Sequence, residues 1–69
     1  MILSWKKTET GLAQYRQESK GCRLKPTGIK AIKKPDGWYC VGVTEEGPMT
    51  MTEAKAAGNA LADDGWMRV

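Results

Sequence analysis

Lys30, Lys34 and Trp38 recur at intervals of four residues around the tripeptide Pro35-Asp36-Gly37. An ammonium group is a point charge for phosphate, and an indole offers a flat π-face on which a base can stack. Arg23 and Lys25 add two cations. If their segment is extended, they alternate with Cys22 and Leu24 and form a solvent-facing basic row. Every phosphate neutralised by such a row steepens the salt dependence of binding. The same residues also fit a solvated hairpin whose Trp38 packs against the first strand.

The charge distribution favours the first reading. From Met1 to Pro35 there are nine Lys or Arg against two acids, and from Asp36 to Val69 two against six. The formal net charge of +3 conceals this division. A chain so divided offers phosphate or an acidic partner one basic region rather than an even coat.

Several chemistries are poorly served by the composition. There is no histidine, the usual general base and the commonest metal ligand. Cys22 and Cys40 are too few ligands for a structural zinc, which wants four. Gly42 and Gly47 are isolated, with no Gly-Lys-Ser/Thr after them to cradle a phosphate. Glu45-Glu46 and Asp63-Asp64 are chain neighbours that point in different directions, a pattern of solvated surface rather than of an acid–base pair. The expectation is a protein that is not an enzyme and needs no cofactor or metal.

Two cysteines are also thin for a secreted disulfide framework, so reduced thiols are expected, with a Cys22–Cys40 bridge between neighbouring strands left open. Met1 to Lys7 is too short and polar for a signal peptide, and no run approaches the ~20 apolar residues that span a membrane. The expected location is the cytoplasm.

Sixty-nine residues make one small domain, residues 1–69, which buries only about 60% of its unfolded surface. Within it, Lys34-Pro35-Asp36-Gly37-Trp38 is the clearest turn. A three-residue Pro-Asp-Gly loop ending in a bulge keeps Pro35 off the ladder. That choice sets Lys34 opposite Trp38, Lys33 opposite Tyr39, Ile32 opposite Cys40, Ala31 opposite Val41 and Ile29 opposite Val43. Ile29, Ala31, Tyr39, Val41 and Val43 would then share a core face, and Lys30, Ile32, Lys34, Trp38 and Cys40 the other.

Upstream, Ile2 to Lys7 reads as a strand ending at the Thr8-Glu9-Thr10-Gly11 turn. Leu12 to Ser19 fits either a helix or a second strand; its poor apolar stripe favours the strand, pairing back on Trp5. Gly21 to Gly28 reads as turn and short extended chain. Downstream, Glu45-Glu46-Gly47-Pro48 reads as a loop. Thr50 and Glu53 have the spacing of a capping box, with Thr52 as an alternative cap.

The following run through Ala62 is helical by propensity, and Ala54, Ala57, Gly58 and Leu61 form a small-residue stripe that lets the helix lie close to a sheet. Gly65 would end the helix with Trp66 folding back on Leu61, and Asp63 and Asp64 sit against the helix dipole. At least one of Trp5, Trp38 and Trp66 is expected to be exposed.

The segments Ile29-Lys30-Ala31-Ile32, Asp36-Gly37-Trp38-Tyr39-Cys40-Val41, Met51-Thr52-Glu53-Ala54 and Ala60-Leu61 together resemble the arm-type DNA-binding domain of phage tyrosine recombinases. They cover about half of the chain. The resemblance implies a three-stranded sheet over a helix, with the sheet in the major groove and Lys30, Lys34 and Trp38 facing DNA. The 69 residues themselves hold no catalytic recombinase domain, and the second half is acidic. In size the chain also looks like a stand-alone phage accessory protein, of which anti-CRISPR and other host-defence inhibitors are examples.

The expected fold class is α+β, a three- or four-stranded antiparallel sheet packed on one C-terminal α-helix. The expected function is non-enzymatic nucleic-acid binding through Lys30, Lys34 and Trp38, extended by Arg23 and Lys25. The alternatives are a small inhibitor that binds a host protein through an exposed Trp and the acidic helix end, and head-to-tail self-association of the two charge halves.

Overall fold

The computed structural model describes residues 1–42 and 44–63. Five strands precede one helix: β1 (Ile2–Lys7), β2 (Gly11–Gln17), β3 (Lys25–Lys34), β4 (Gly37–Val41), β5 (Glu45–Met49) and α1 (Met51–Asp63). The strands form a single antiparallel sheet in chain order, so each pairs with its sequence neighbour. The α+β class and C-terminal helix are as expected, but the sheet is larger than the three or four strands foreseen. The extra strand is β5. Its Glu-Glu-Gly-Pro sequence reads as a loop, but Pro48 lies on an edge strand, where a missing N–H is tolerated. Tyr39 packs so closely on Gly47 that a Cβ there would lie 2.6 Å from its ring.

The first hairpin follows the expected strand reading. Trp5 pairs with Gln14, and the Thr8–Gly11 turn closes through Thr8 N–H to Gly11 O (2.8 Å). The second hairpin corrects the expected register. Lys34 pairs with Gly37, Lys33 with Trp38, Ile32 with Tyr39, Ala31 with Cys40 and Lys30 with Val41. Pro35 and Asp36 alone form the loop. As the first turn residue Pro35 stands off the ladder already, so no third loop residue is needed. The proposed partner of Ile29, Val43, lies outside the described residues.

A one-residue slip flips an entire strand. Trp38 and Cys40 therefore share a face with Ile29, Ala31 and Lys33, whereas Tyr39 and Val41 share the opposite face with Lys30, Ile32 and Lys34. The helix covers the first of these, lying over β3 and β4.

The core is made of small residues. Ile29, Ala31, Cys40, Ala54 and Ala62 are buried, with Leu3, Trp5, Met49, Ala57 and Leu61 packed around them. Gly58 explains how the helix comes so near: a Cβ there would lie 2.6 Å from the Trp5 ring. Beside this contact runs a polar chain. Thr27 Oγ1 donates to Gln14 Oε1 (2.8 Å), and Gln14 Nε2 (3.0 Å) and Trp5 Nε1 (3.1 Å) both donate to Asn59 Oδ1. A register shift makes room for it, because Ala13 pairs with Lys30 but Tyr15 with Pro26. Gln14 therefore faces a longer stretch of β3, whose Thr27 Oγ1 accepts the Ile29 N–H (3.2 Å).

The capping box forms on Thr50 rather than Thr52. Thr50 Oγ1 accepts the Glu53 N–H (3.1 Å), and Glu53 Oε1 accepts the Thr50 N–H (3.0 Å). These bonds to Thr50 hold the Glu53 carboxyl below its ordinary pKa. Asp63 is exposed in a last turn without a basic residue; Asp64, Gly65 and Trp66 lie outside the described residues. Both cysteines are free thiols, Cys22 exposed in the loop before β3 and Cys40 buried, so the bridge left open by the sequence is not made. Burial, aided by the charge of Glu46, raises the Cys40 pKa. No helix among the described residues is long and apolar enough to cross a membrane.

Candidate nucleic-acid interface

Among the described residues no helix covers the face of the sheet turned away from α1. On it, register aligns Lys6, Ala13, Lys30, Val41 and Glu45 in one row across all five strands, with Gly11, Ile32 and Tyr39 in the next. Strands lie about 4.8 Å apart, so Lys6 and Lys30 stand roughly 10 Å from each other across the small side chain of Ala13. Lys34 follows Lys30 by four residues on the same strand, about 13 Å farther along. The result is a triangle of three exposed lysines on one face.

Two tyrosines support those lysines. Lys6 Nζ lies 5.5 Å from the centre of the Tyr15 ring, and Lys34 Nζ lies 4.5 Å from that of Tyr39. Both rings are half-buried, and each ammonium lies over a ring as a cation–π contact on an exposed lysine. Tyr39 Oη donates to Asp36 (2.7 Å); this bond, with partial burial and the charges of Asp36 and Glu45, raises the phenol pKa above its ordinary 10.0. Lys34 is additionally paired with Glu45. That pair is exposed and worth at most about 1 kcal/mol, so a phosphate can displace it. Among the described residues Lys6 and Lys30 have no carboxylate partner.

The residues singled out from sequence are therefore brought together only in part. Lys30 and Lys34 share the open face. Trp38 does not: it stands half-buried opposite Lys33 on the helix-covered face, and Tyr39 takes the place expected for it among the lysines. Arg23 and Lys25 are both exposed, but Lys25 begins β3 and pairs with Arg16. Nine residues separate it from Lys34, roughly 30 Å of extended chain in a molecule 36 Å long. They form a second basic end rather than an extension of the first.

Sequence reasoning missed Tyr15, Tyr39 and the alignment of Lys6 with Lys30. A two-residue loop at Pro35-Asp36 is the signal that would have put Tyr39 on the lysine face.

On the other side of the sheet, at the end marked by the Thr8–Gly11 turn and the start of α1, lies a groove of about 740 Å³. Trp5, Leu12, Trp38 and Met51 supply its apolar surface, with Lys7 and Lys33 beside them. Trp5 and Trp38 are both half-buried, and Trp66, the third candidate for an exposed indole, lies outside the described residues.

The chain matches no protein-family model, no curated protein and no solved structure.

Proposed function

We propose that this is a non-enzymatic nucleic-acid-binding protein, of the accessory kind found in phage and mobile elements, that contacts its ligand through the open face of the sheet. The observation that carries this reading is the triangle of exposed Lys6, Lys30 and Lys34 around Ala13 and Ile32, with no helix over it among the described residues. Lys6 and Lys30 are the primary phosphate contacts, Lys34 joins them on release from Glu45, and Arg23 and Lys25 offer a further contact at the far end of β3. Tyr15 and Tyr39 hold Lys6 and Lys34 through cation–π contacts. The accessory-protein element rests on size and on the resemblance to the arm-type domain.

The test is binding of labelled single-stranded and duplex oligonucleotides by fluorescence anisotropy across a salt series. Affinity should fall steeply from roughly 50 to 200 mM salt, and Lys30→Ala/Lys34→Ala should flatten the logarithmic salt slope by between about 1.4 and 1.8. Absence of binding at roughly 50 mM salt and micromolar protein would overturn the reading.

A second reading, an inhibitor that binds a host protein, is favoured by one observation. Met1 (55% exposed) and Ile2 (40%) leave apolar surface along edge strand β1, where a partner strand can add to the sheet. It predicts that Ile2→Asp abolishes capture of a specific partner while oligonucleotide binding stays unchanged.

A further inference from the structure

Trp5 and Trp38 are held with their indoles half-covered in the groove at the turn end of the helix-covered face. Trp5 is fixed from behind, because its Nε1 donates to Asn59 and its ring rests on Gly58. Trp38 sits between its strand neighbours Lys33 and Met49. Met51, the first helical residue, is 44% exposed on the same groove. Lys7 and Lys33 bring two positive charges to it against the single acid Glu9, and among the described residues neither lysine is ion-paired. An apolar slot with indole faces, bordered by cations, is complementary to a flat base attached to a phosphate.

The location selects the form of the ligand. Lys33 and Lys34 are successive residues of β3, so they point to opposite faces at the same end of the sheet. Lys33 N–H is bonded to Thr10 O (2.9 Å), which joins the first turn to β3 at this end. A stiff duplex lying on Lys30 and Lys34 cannot also reach the groove behind the sheet, and its bases are paired and stacked. A flexible single strand can cross this end from Lys34 to Lys33 and insert an unstacked base.

We propose that the groove formed by Trp5, Trp38 and Met51, with Lys7 and Lys33, receives one unpaired nucleotide, and that the protein's ligand is single-stranded nucleic acid. This rests on the nucleic-acid reading above and specifies its substrate class.

The test uses the full chain carrying Trp66→Phe, in which Trp5 and Trp38 are the only indoles left to emit. An oligothymidylate of about eight nucleotides, within the ~4–16 nucleotides that small single-strand-binding folds occupy, is titrated in, and in parallel its duplex with the complementary strand. Saturable quenching of tryptophan emission by the single strand is expected, with at least tenfold tighter binding than the duplex. Trp38→Ala should lower single-strand affinity by roughly 5- to 150-fold, the range that loss of one stacked base produces. Because Trp38→Ala can disturb packing, Met51→Glu provides a second arm. It puts a carboxylate at an exposed groove position and should weaken the single strand at least tenfold while leaving the melting temperature and duplex affinity unchanged.

Equal affinity for the two forms without a change in emission overturns the nucleotide site and leaves the open-face reading standing. Wild-type single-strand affinity in Met51→Glu overturns it as well. Failure of both oligonucleotides to bind removes the open-face reading with it. In that case, quenching by a peptide of alternating Glu and Leu would identify the groove as a protein-docking site instead.

Discussion

Both faces of the sheet carry aromatic rings beside lysines, but only one face is covered. Trp5 and Trp38 lie on the side of α1, Tyr15 and Tyr39 on the open side. Beneath the helix, shape is set by contact: Gly58 receives the Trp5 ring, Ala54 and Ala62 are buried, and Gln14 and Thr27 are linked through buried hydrogen bonds to their neighbours. On the open side each ring has the ammonium of an exposed lysine over it. The covered face spends its aromatic surface on holding the domain together, except at the groove, where α1 begins and leaves the two indoles partly uncovered. The open face leaves Lys6 and Lys30 without a carboxylate partner among the described residues, and Lys34 in an exposed pair with Glu45. The difference predicts that substitutions on the covered face cost stability, whereas those on the open face cost binding.

The largest effect should come from Gly58→Leu. Its side chain has no space against Trp5, so the helix must rise or the indole must leave. A loss of about 3 kcal/mol is expected, or a fall of more than about 10 °C in Tm by circular dichroism. A variant that melts with the wild type would break the claim that this face is set by close contact.

Next is Gln14→Ala, which leaves Thr27 and Asn59 without the amide between them. Buried groups orphaned in this way cost about 1–3 kcal/mol, read as a lower urea midpoint with unchanged m-value.

Thr50→Ala should cost about 1 kcal/mol through the lost cap. It also changes the acid profile. Glu53 has its pKa lowered in the folded chain, so its contribution is present above the ordinary value of 4.5 and is lost as pH falls through the lower folded value. Urea midpoints measured down that range should therefore fall less steeply in Thr50→Ala than in the wild type.

The smallest stability effect belongs to the open face. Lys30→Ala should stay within about 0.5 kcal/mol of the wild type while weakening oligonucleotide binding. A loss of stability like that of Gln14→Ala would show that the open face is structural, and the contrast between the faces would collapse.

Much of the fold can be read from local signals. The Thr50/Glu53 spacing makes a capping box wherever a helix follows, and the small stripe around Gly58 signals close approach to a sheet. The first hairpin was only partly legible: Ile2 to Lys7 reads as a strand into the Thr8–Gly11 turn, whereas Leu12 to Ser19 fits either element until pairing with β1 makes it a strand. The candidate site was legible only in part. Lys30 and Lys34 share a face under either register, because they are four residues apart on one strand. Trp38 does not, since its face depends on whether the loop has two residues or three.

What the sequence by itself determined is the outline: an α+β chain whose basic first half supplies β1 to β3 and whose acidic second half leads into α1. It follows from chain-local chemistry, namely turn residues, caps and charge. Tertiary structure alone decided the rest. Glu45-Glu46-Gly47-Pro48-Met49 becomes a strand because β4 supplies the partner and an edge position excuses its proline. Gln14 becomes a buried residue because Asn59, 45 positions away, arrives to accept its hydrogen bond. Tyr39 rather than Trp38 joins the lysines because strand side chains alternate with a period of two, so one residue in the loop reverses every assignment after it.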